Sequence, residues 1–72
     1  MNVVKSPTPM EKARRQAGLT QAALARKLQT SISHVSRWER GRIYPALPTA
    51  LRIAHHLNTT VEALWGEDEA DV

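Results

Sequence analysis

Cysteine is absent from this 72-residue chain. No disulfide and no thiolate zinc site can therefore staple it, and the usage fits a reducing compartment. Long hydrophobic runs are absent too, since no stretch approaches the roughly 18 apolar residues that cross a bilayer. The opening MNVVKSPTP holds only Val3-Val4 before proline arrives, which is no signal peptide. The cytoplasm is the expected compartment. Strand signals and internal repeats are missing as well. A chain of this length makes one domain at most. Such a domain buries only about 60% of its unfolded surface, so well-packed helices or a dimer must supply its stability.

Acidic residues are scarce over most of the length. Residues 1–66 hold all ten Lys and Arg against Glu11, Glu39 and Glu62, a balance of +7. Residues 67–72 hold Glu67, Asp68, Glu69 and Asp71 and no base, a balance of −4. A basic body suits a polyanionic partner, or is simply a soluble surface; charge alone does not separate the two. Enzyme and metal sites are equally hard to find. His34 has Ser31, Ser33 and Ser36 nearby, but no carboxylate or oxyanion loop accompanies them. His55 and His56 are adjacent, so they point about 100° apart on a helix, unlike the i, i+4 pairs that hold a metal. No catalytic residue, cofactor or metal is expected.

Capping signals divide the chain. Residues 1–8 lack periodicity and read as a flexible arm carrying Lys5. Thr8 caps a first helix over about Pro9–Ala17, with Pro9 at its first position, Glu11 three residues after the cap and Gly18 closing it. Its apolar face is Met10, Ala13 and Ala17. Thr20 caps a second helix, Gln21–Leu28, in which Leu24, Ala25 and Leu28 form a buried stripe and Arg26 and Lys27 face out. Gln29-Thr30 make the turn. Ser31 caps a third helix from Ile32 to about Arg40, with Val35 and Trp38 inward and Gly41 as the stop. After the loop Arg42-Ile43-Tyr44-Pro45, a fourth helix spans roughly Leu47–Leu57. Leu47, Leu51, Ala54 and Leu57 or Ile53 are expected inward, with Pro48 tolerable in the first turn and Asn58 as a left-handed cap. Thr60 caps a fifth helix, Val61–Trp65, ended by Gly66. The domain is thus expected over residues 9–66, followed by a disordered acidic tail.

These residues resemble the phage repressor/Cro-like (XRE) helix-turn-helix family. The likeness runs from Gly18-Leu19-Thr20-Gln21 through Leu24-Ala25-x-x-Leu28 and Val35-Ser36-Arg37-Trp38-Glu39-Arg40-Gly41. It continues in Pro45-x-Leu47, Leu51-x-Ile53-Ala54, Leu57 and Val61-x-x-Leu64-Trp65-Gly66, so it covers roughly residues 9–66. The resemblance implies an all-α, compact five-helix bundle, lambda-repressor-like, with the helix-turn-helix at its second and third helices. It implies that Ile32, Ser33, Arg37 and the neighbouring His34 meet base edges in the major groove. It assigns phosphate contacts to Gln21, Ser36, Arg40, Arg42 and the region of Tyr44. Arg14 and Glu39 match a structural ion pair joining the first and third helices.

Four positions depart from the family pattern. Gln29 stands where glycine is usual, at a turn of positive φ, at a cost on the order of 1 kcal/mol. Thr30 replaces an apolar residue, and Ala46 replaces a polar cap. Ile32 cannot hydrogen-bond a base; it packs on a thymine methyl or folds inward. Other residues also carry two readings. Arg37 donates to guanine O6 and N7 or to a phosphate. Ser33 touches a base or helps the helix start, and His34 is a groove contact or a solvated side chain. Trp38 matches a core position. Trp65, with Val61 and Leu64, covers the core or forms a dimer interface.

The expected function is that of a bacterial or phage transcriptional regulator, a repressor, binding double-stranded DNA as a homodimer. Two-fold pairing predicts a pseudo-palindrome with half-sites about 10 bp apart. The alternative is an antitoxin or other interaction protein that holds a protein partner through its acidic tail and uses DNA binding for autoregulation. No membrane role is expected. The chain leaves no room for a ligand domain, so no small-molecule effector is expected either.

Overall fold

The computed structural model describes residues 7–66. The acidic tail, and all but the last two residues of the expected arm, lie outside the described residues. Five helices follow one another: α1 (Pro9–Gln16), α2 (Gln21–Leu28), α3 (Ile32–Glu39), α4 (Leu47–His56) and α5 (Val61–Trp65). Together they form an all-α helix-turn-helix bundle with no strand among the described residues.

Capping explains where the helices start. The Oγ atoms of Thr8, Thr20, Ser31 and Thr60 accept hydrogen bonds from the amides of Glu11, Ala23, His34 and Ala63 at 3.0–3.2 Å. Each satisfies one amide that the helix itself leaves unpaired. Only α4 begins without such an acceptor, because its cap is Ala46. Left-handed residues explain where the chain turns. Gly18 and Gly41 have φ of +76° and +74°, while Asn58 and Gln29 both stand at +57°. Gln29 is therefore the one long side chain held where glycine is cheapest. Its amide still bonds back to Arg26 O at 3.1 Å, and that of Thr30 reaches Ala25 O at 2.9 Å.

The core is one cluster containing Met10, Leu24, Ala25, Leu28, Val35, Trp38, Ile53, Ala54, Leu57 and Leu64. Ala13, Ala17, Leu19, Val61 and Trp65 are partly buried against it. The α4 face differs from the expected one. Ala50, Ile53, Ala54 and Leu57 turn inward, whereas Leu47 and Leu51 are 63% and 55% exposed. The inward set follows the i, i+3, i+4, i+7 spacing of a single stripe. Leu51 lies about 100° round the helix from Ala50, off that stripe. Leu47 sits in the first turn and borders an apolar groove with Tyr44, Pro45, Ala50, Val61 and Trp65. Leu64 is a second correction: at 4% exposure it belongs to the core and offers no face to a partner.

Gln29→Gly is expected to stabilise the domain by about 1 kcal/mol, because it removes the left-handed strain. Ala46→Asp is expected to add a similar amount by supplying the missing cap. Each gain corresponds to roughly 4–8 °C in a domain of this size. Thermal unfolding followed by circular dichroism checks both, and an unchanged midpoint contradicts the assigned backbone role.

Candidate nucleic-acid interface

A buried carboxylate fixes the position of α3. Glu39 is 5% exposed, the one charged residue in the described interior. Its Oε2 accepts a hydrogen bond from Arg14 Nε, and its Oε1 accepts one from Gln21 Nε2 at 2.9 Å. Arg14 also donates through Nη1 to the Leu19 carbonyl at 2.8 Å. One carboxylate thereby joins α1, α2 and α3, and every buried polar side-chain atom among the described residues has a partner. The pair Arg14–Glu39 is the contact that the family resemblance implies. Gln21 is found bracing the recognition helix through the same carboxylate.

With Val35, Trp38 and Glu39 turned inward, the opposite side of α3 is left free. Ile32, Ser33, His34 and Arg37 are exposed and Ser36 is half-buried. Ile32 is 50% exposed, so it does not fold into the core, and Trp38 at 8% does. Ser33 and Arg37 are one turn apart and share a face. Arg40 caps the C-terminus of α3, and Arg42 and Tyr44 follow it into the loop, all exposed. Arg37, Arg40 and Arg42 form no ion pair among the described residues, whose two pairs are Arg14–Glu39 and Arg15–Glu11. Gln21, Ser36, Arg40 and Arg42 line one polar hollow beside α3, together with Thr8, Glu11 and Glu39. Both carboxylates there are already occupied, Glu39 as above and Glu11 by Arg15 at 2.5 Å.

His34 is more constrained than its place on an exposed surface suggests. Its Nδ1 lies 2.9 Å from Thr30 Oγ1 and 3.2 Å from Ser31 Oγ. Its ring stacks on Trp38, with centroids 5.7 Å apart and planes 14° apart. In the sequence Thr30 reads as a turn residue that departs from the family pattern. The signal that identifies its role is the i, i+4 spacing from Thr30 to His34.

The second basic cluster lies elsewhere, at the ends of α2 and α4. Arg52 Nη2 donates to the Lys27 carbonyl at 3.4 Å. Partial burial pushes the His56 imidazole below its ordinary pKa, helped by electrostatic repulsion from the neighbouring Lys27, His55 and Arg52. Among the described residues no three His, Asp or Glu side chains gather into a metal-holding group. No helix among them is long and apolar enough to cross a membrane.

A short helix clamped by a scaffold, with a free polar face and flanking arginines, defines a helix-turn-helix DNA-binding domain. A family model described as helix-turn-helix matches residues 10–64. The chain belongs to this family, the Cro/XRE-like helix-turn-helix regulators, and is a DNA-binding protein of that type. Comparison with curated proteins gives no match.

Removing Arg14 leaves the Glu39 carboxylate buried without its cation. Arg14→Met is therefore expected to destabilise the fold by about 3 kcal/mol or more. The double variant Arg14→Met/Glu39→Met is expected to recover a large part of that loss, because no charge is then left buried. Urea unfolding of the single and double variants measures the coupling. A single variant as stable as the parent contradicts the clamp.

Proposed function

We propose that the protein is a transcriptional repressor of bacterial or phage origin that binds a pseudo-palindromic operator as a homodimer, with α3 in the major groove. The observation that carries this reading is the free outer face of α3, where Ile32, Ser33, His34 and Arg37 stand exposed. Arg37 donates two hydrogen bonds to guanine O6 and N7, a contact that discriminates by about 1–3 kcal/mol. Ile32 meets a thymine methyl, and Ser33 and His34 meet neighbouring base edges. Gln21, Ser36, Arg40, Arg42 and Tyr44 hold the phosphates. The shared hollow beside α3, in which the acids are already paired, supports this assignment for Gln21, Ser36, Arg40 and Arg42.

One recognition helix reaches few bases, so specificity calls for two copies. Two-fold pairing sets recognition helices about 34 Å apart, one helical turn of DNA. The interface read from sequence was Val61, Leu64 and Trp65. With Leu64 in the core, the dimer face becomes the apolar groove of Tyr44, Pro45, Leu47, Val61 and Trp65. The antitoxin alternative rests on the acidic tail, which lies outside the described residues.

Selection from a random duplex library at two salt concentrations tests the operator. A pseudo-palindrome spaced by about one turn and surviving the higher salt is expected. Sequence-blind binding that collapses with salt refutes the proposal. In anisotropy titrations on the selected site, Arg37→Ala is expected to relax base preference at one position by about 1–3 kcal/mol. Arg42→Ala is expected to weaken all sequences alike and lower the salt slope by about one. Equal scaling of every sequence by both variants removes direct readout by Arg37. Leu47→Glu, on a side chain already 63% exposed, is expected to leave a folded monomer in sedimentation equilibrium. A dimer of unchanged strength rules out that face.

A further inference from the structure

Resting on that operator reading, we propose that Thr30 is a positioning residue. It holds the His34 imidazole as the Nε2–H tautomer and so presents a fixed N–H donor, beside Arg37, to an acceptor on a base edge. The inference comes from three contacts that together leave the ring little freedom. Trp38 stacks on one face of His34 with planes 14° apart. Thr30 Oγ1 and Ser31 Oγ converge on Nδ1 at 2.9 and 3.2 Å. The Ser31 oxygen already accepts the His34 amide at 3.1 Å.

The inventory of donors and acceptors is compatible with this arrangement of protons. Ser31 uses oxygen lone-pair capacity on the amide, and its hydroxyl proton remains to be donated. The Thr30 hydroxyl has no other bond among the described residues. Each hydroxyl can donate to Nδ1 or accept from it; in the proposed arrangement both donate and Nδ1 is their acceptor. A neutral imidazole that accepts at Nδ1 carries its proton on Nε2. The Nε2–H group lies on the ring edge away from both hydroxyls. His34 and Arg37 are i, i+3 neighbours on the same side of α3.

A donor held in this way selects among bases. Guanine, adenine and thymine each offer a major-groove acceptor at N7, O6 or O4, whereas cytosine offers only the N4 amine, a donor. His34 therefore disfavours cytosine at the position it faces. A ring free to change tautomer also presents Nε2 as an acceptor and loses that preference. The threonine at the turn, out of pattern for its family, then has a function in this chain that an apolar residue there cannot supply.

Long-range nitrogen–proton NMR of the free protein at alkaline pH reports which ring nitrogen carries the proton. The expected result is a single Nε2–H tautomer in the parent and in Thr30→Ser, and a mixture in Thr30→Val. In competition titrations, Thr30→Val is expected to reduce discrimination against cytosine at one position by about three- to tenfold. Thr30→Ser is expected to restore it, and Thr30→Val is expected to add nothing in a His34→Ala background. A proton on Nδ1 in the parent, or Thr30→Val with unchanged tautomer and preference, overturns the proposal. Failure of the parent to bind any DNA selectively refutes the operator reading instead, and the free-protein spectrum then still decides whether Thr30 sets the ring.

Discussion

The buried carboxylate of Glu39 is the constraint on which this small structure turns. An isolated helix of eight residues is unstable in water, since even good sequences need about 12–15. The recognition helix α3 has that short length and must be held by its surroundings. Apolar packing through Val35 and Trp38 supplies adhesion but little direction, because hydrophobic contact is non-directional. Glu39 adds direction. Its two oxygens take one donor from α1 and one from α2, so the angle of α3 against both helices is fixed by hydrogen bonds. A charge so buried is costly unless its partners are present, and that cost ties the three helices into one cooperative unit. Gln21, which completes the clamp, also lines the hollow beside α3.

Much of this was legible in the residues themselves, for reasons that are local. The caps Thr8, Thr20, Ser31 and Thr60 and the turn residues Gly18, Gln29, Gly41 and Asn58 act within three or four positions of their own place in the chain. Their pattern therefore fixes the helix boundaries to within a residue. The stripes of α2 and α3 were equally plain, because few alternative apolar positions compete there. In α4 the sequence offers Leu47 and Leu51 beside Ala50, Ile53, Ala54 and Leu57. Size favoured the leucines, while the structure buries the smaller Ala50. The choice depends on where the neighbouring helices stand, which is not a local property. Leu64 was misplaced for the related reason that one five-residue helix must serve both core and surface.

The candidate site divides in the same way. The outer residues of α3 follow from helical geometry once Val35 and Trp38 are inward. The Arg14–Glu39 pair came from family likeness, because a contact across 25 positions leaves no trace in spacing. The coupling of Thr30 to His34 spans four residues and was in principle readable. It was hidden because Thr30 registers first as a departure from pattern, and a departure is easily read as lost stability.

Stability and recognition meet in how the inner and outer faces are assigned. The domain buries Met10, Leu24, Val35 and Ile53 completely, yet leaves Ile43, Tyr44, Leu47 and Leu51 in water. Scattered exposed apolar residues are ordinary. Tyr44 and Leu47 are not scattered, since they border one groove with Pro45, Val61 and Trp65. That groove joins α4, α5 and the loop that follows the recognition helix. In the proposed dimer, a partner seated there buries the exposed side chains and fixes the distance between two α3 helices through the same loop that carries Arg42. In that proposed dimer, the surface that the small core leaves uncovered is the part that sets operator spacing. Under the same proposal, any loss of packing in the groove is felt as loss of half-site register, even where the outer residues of α3 are intact.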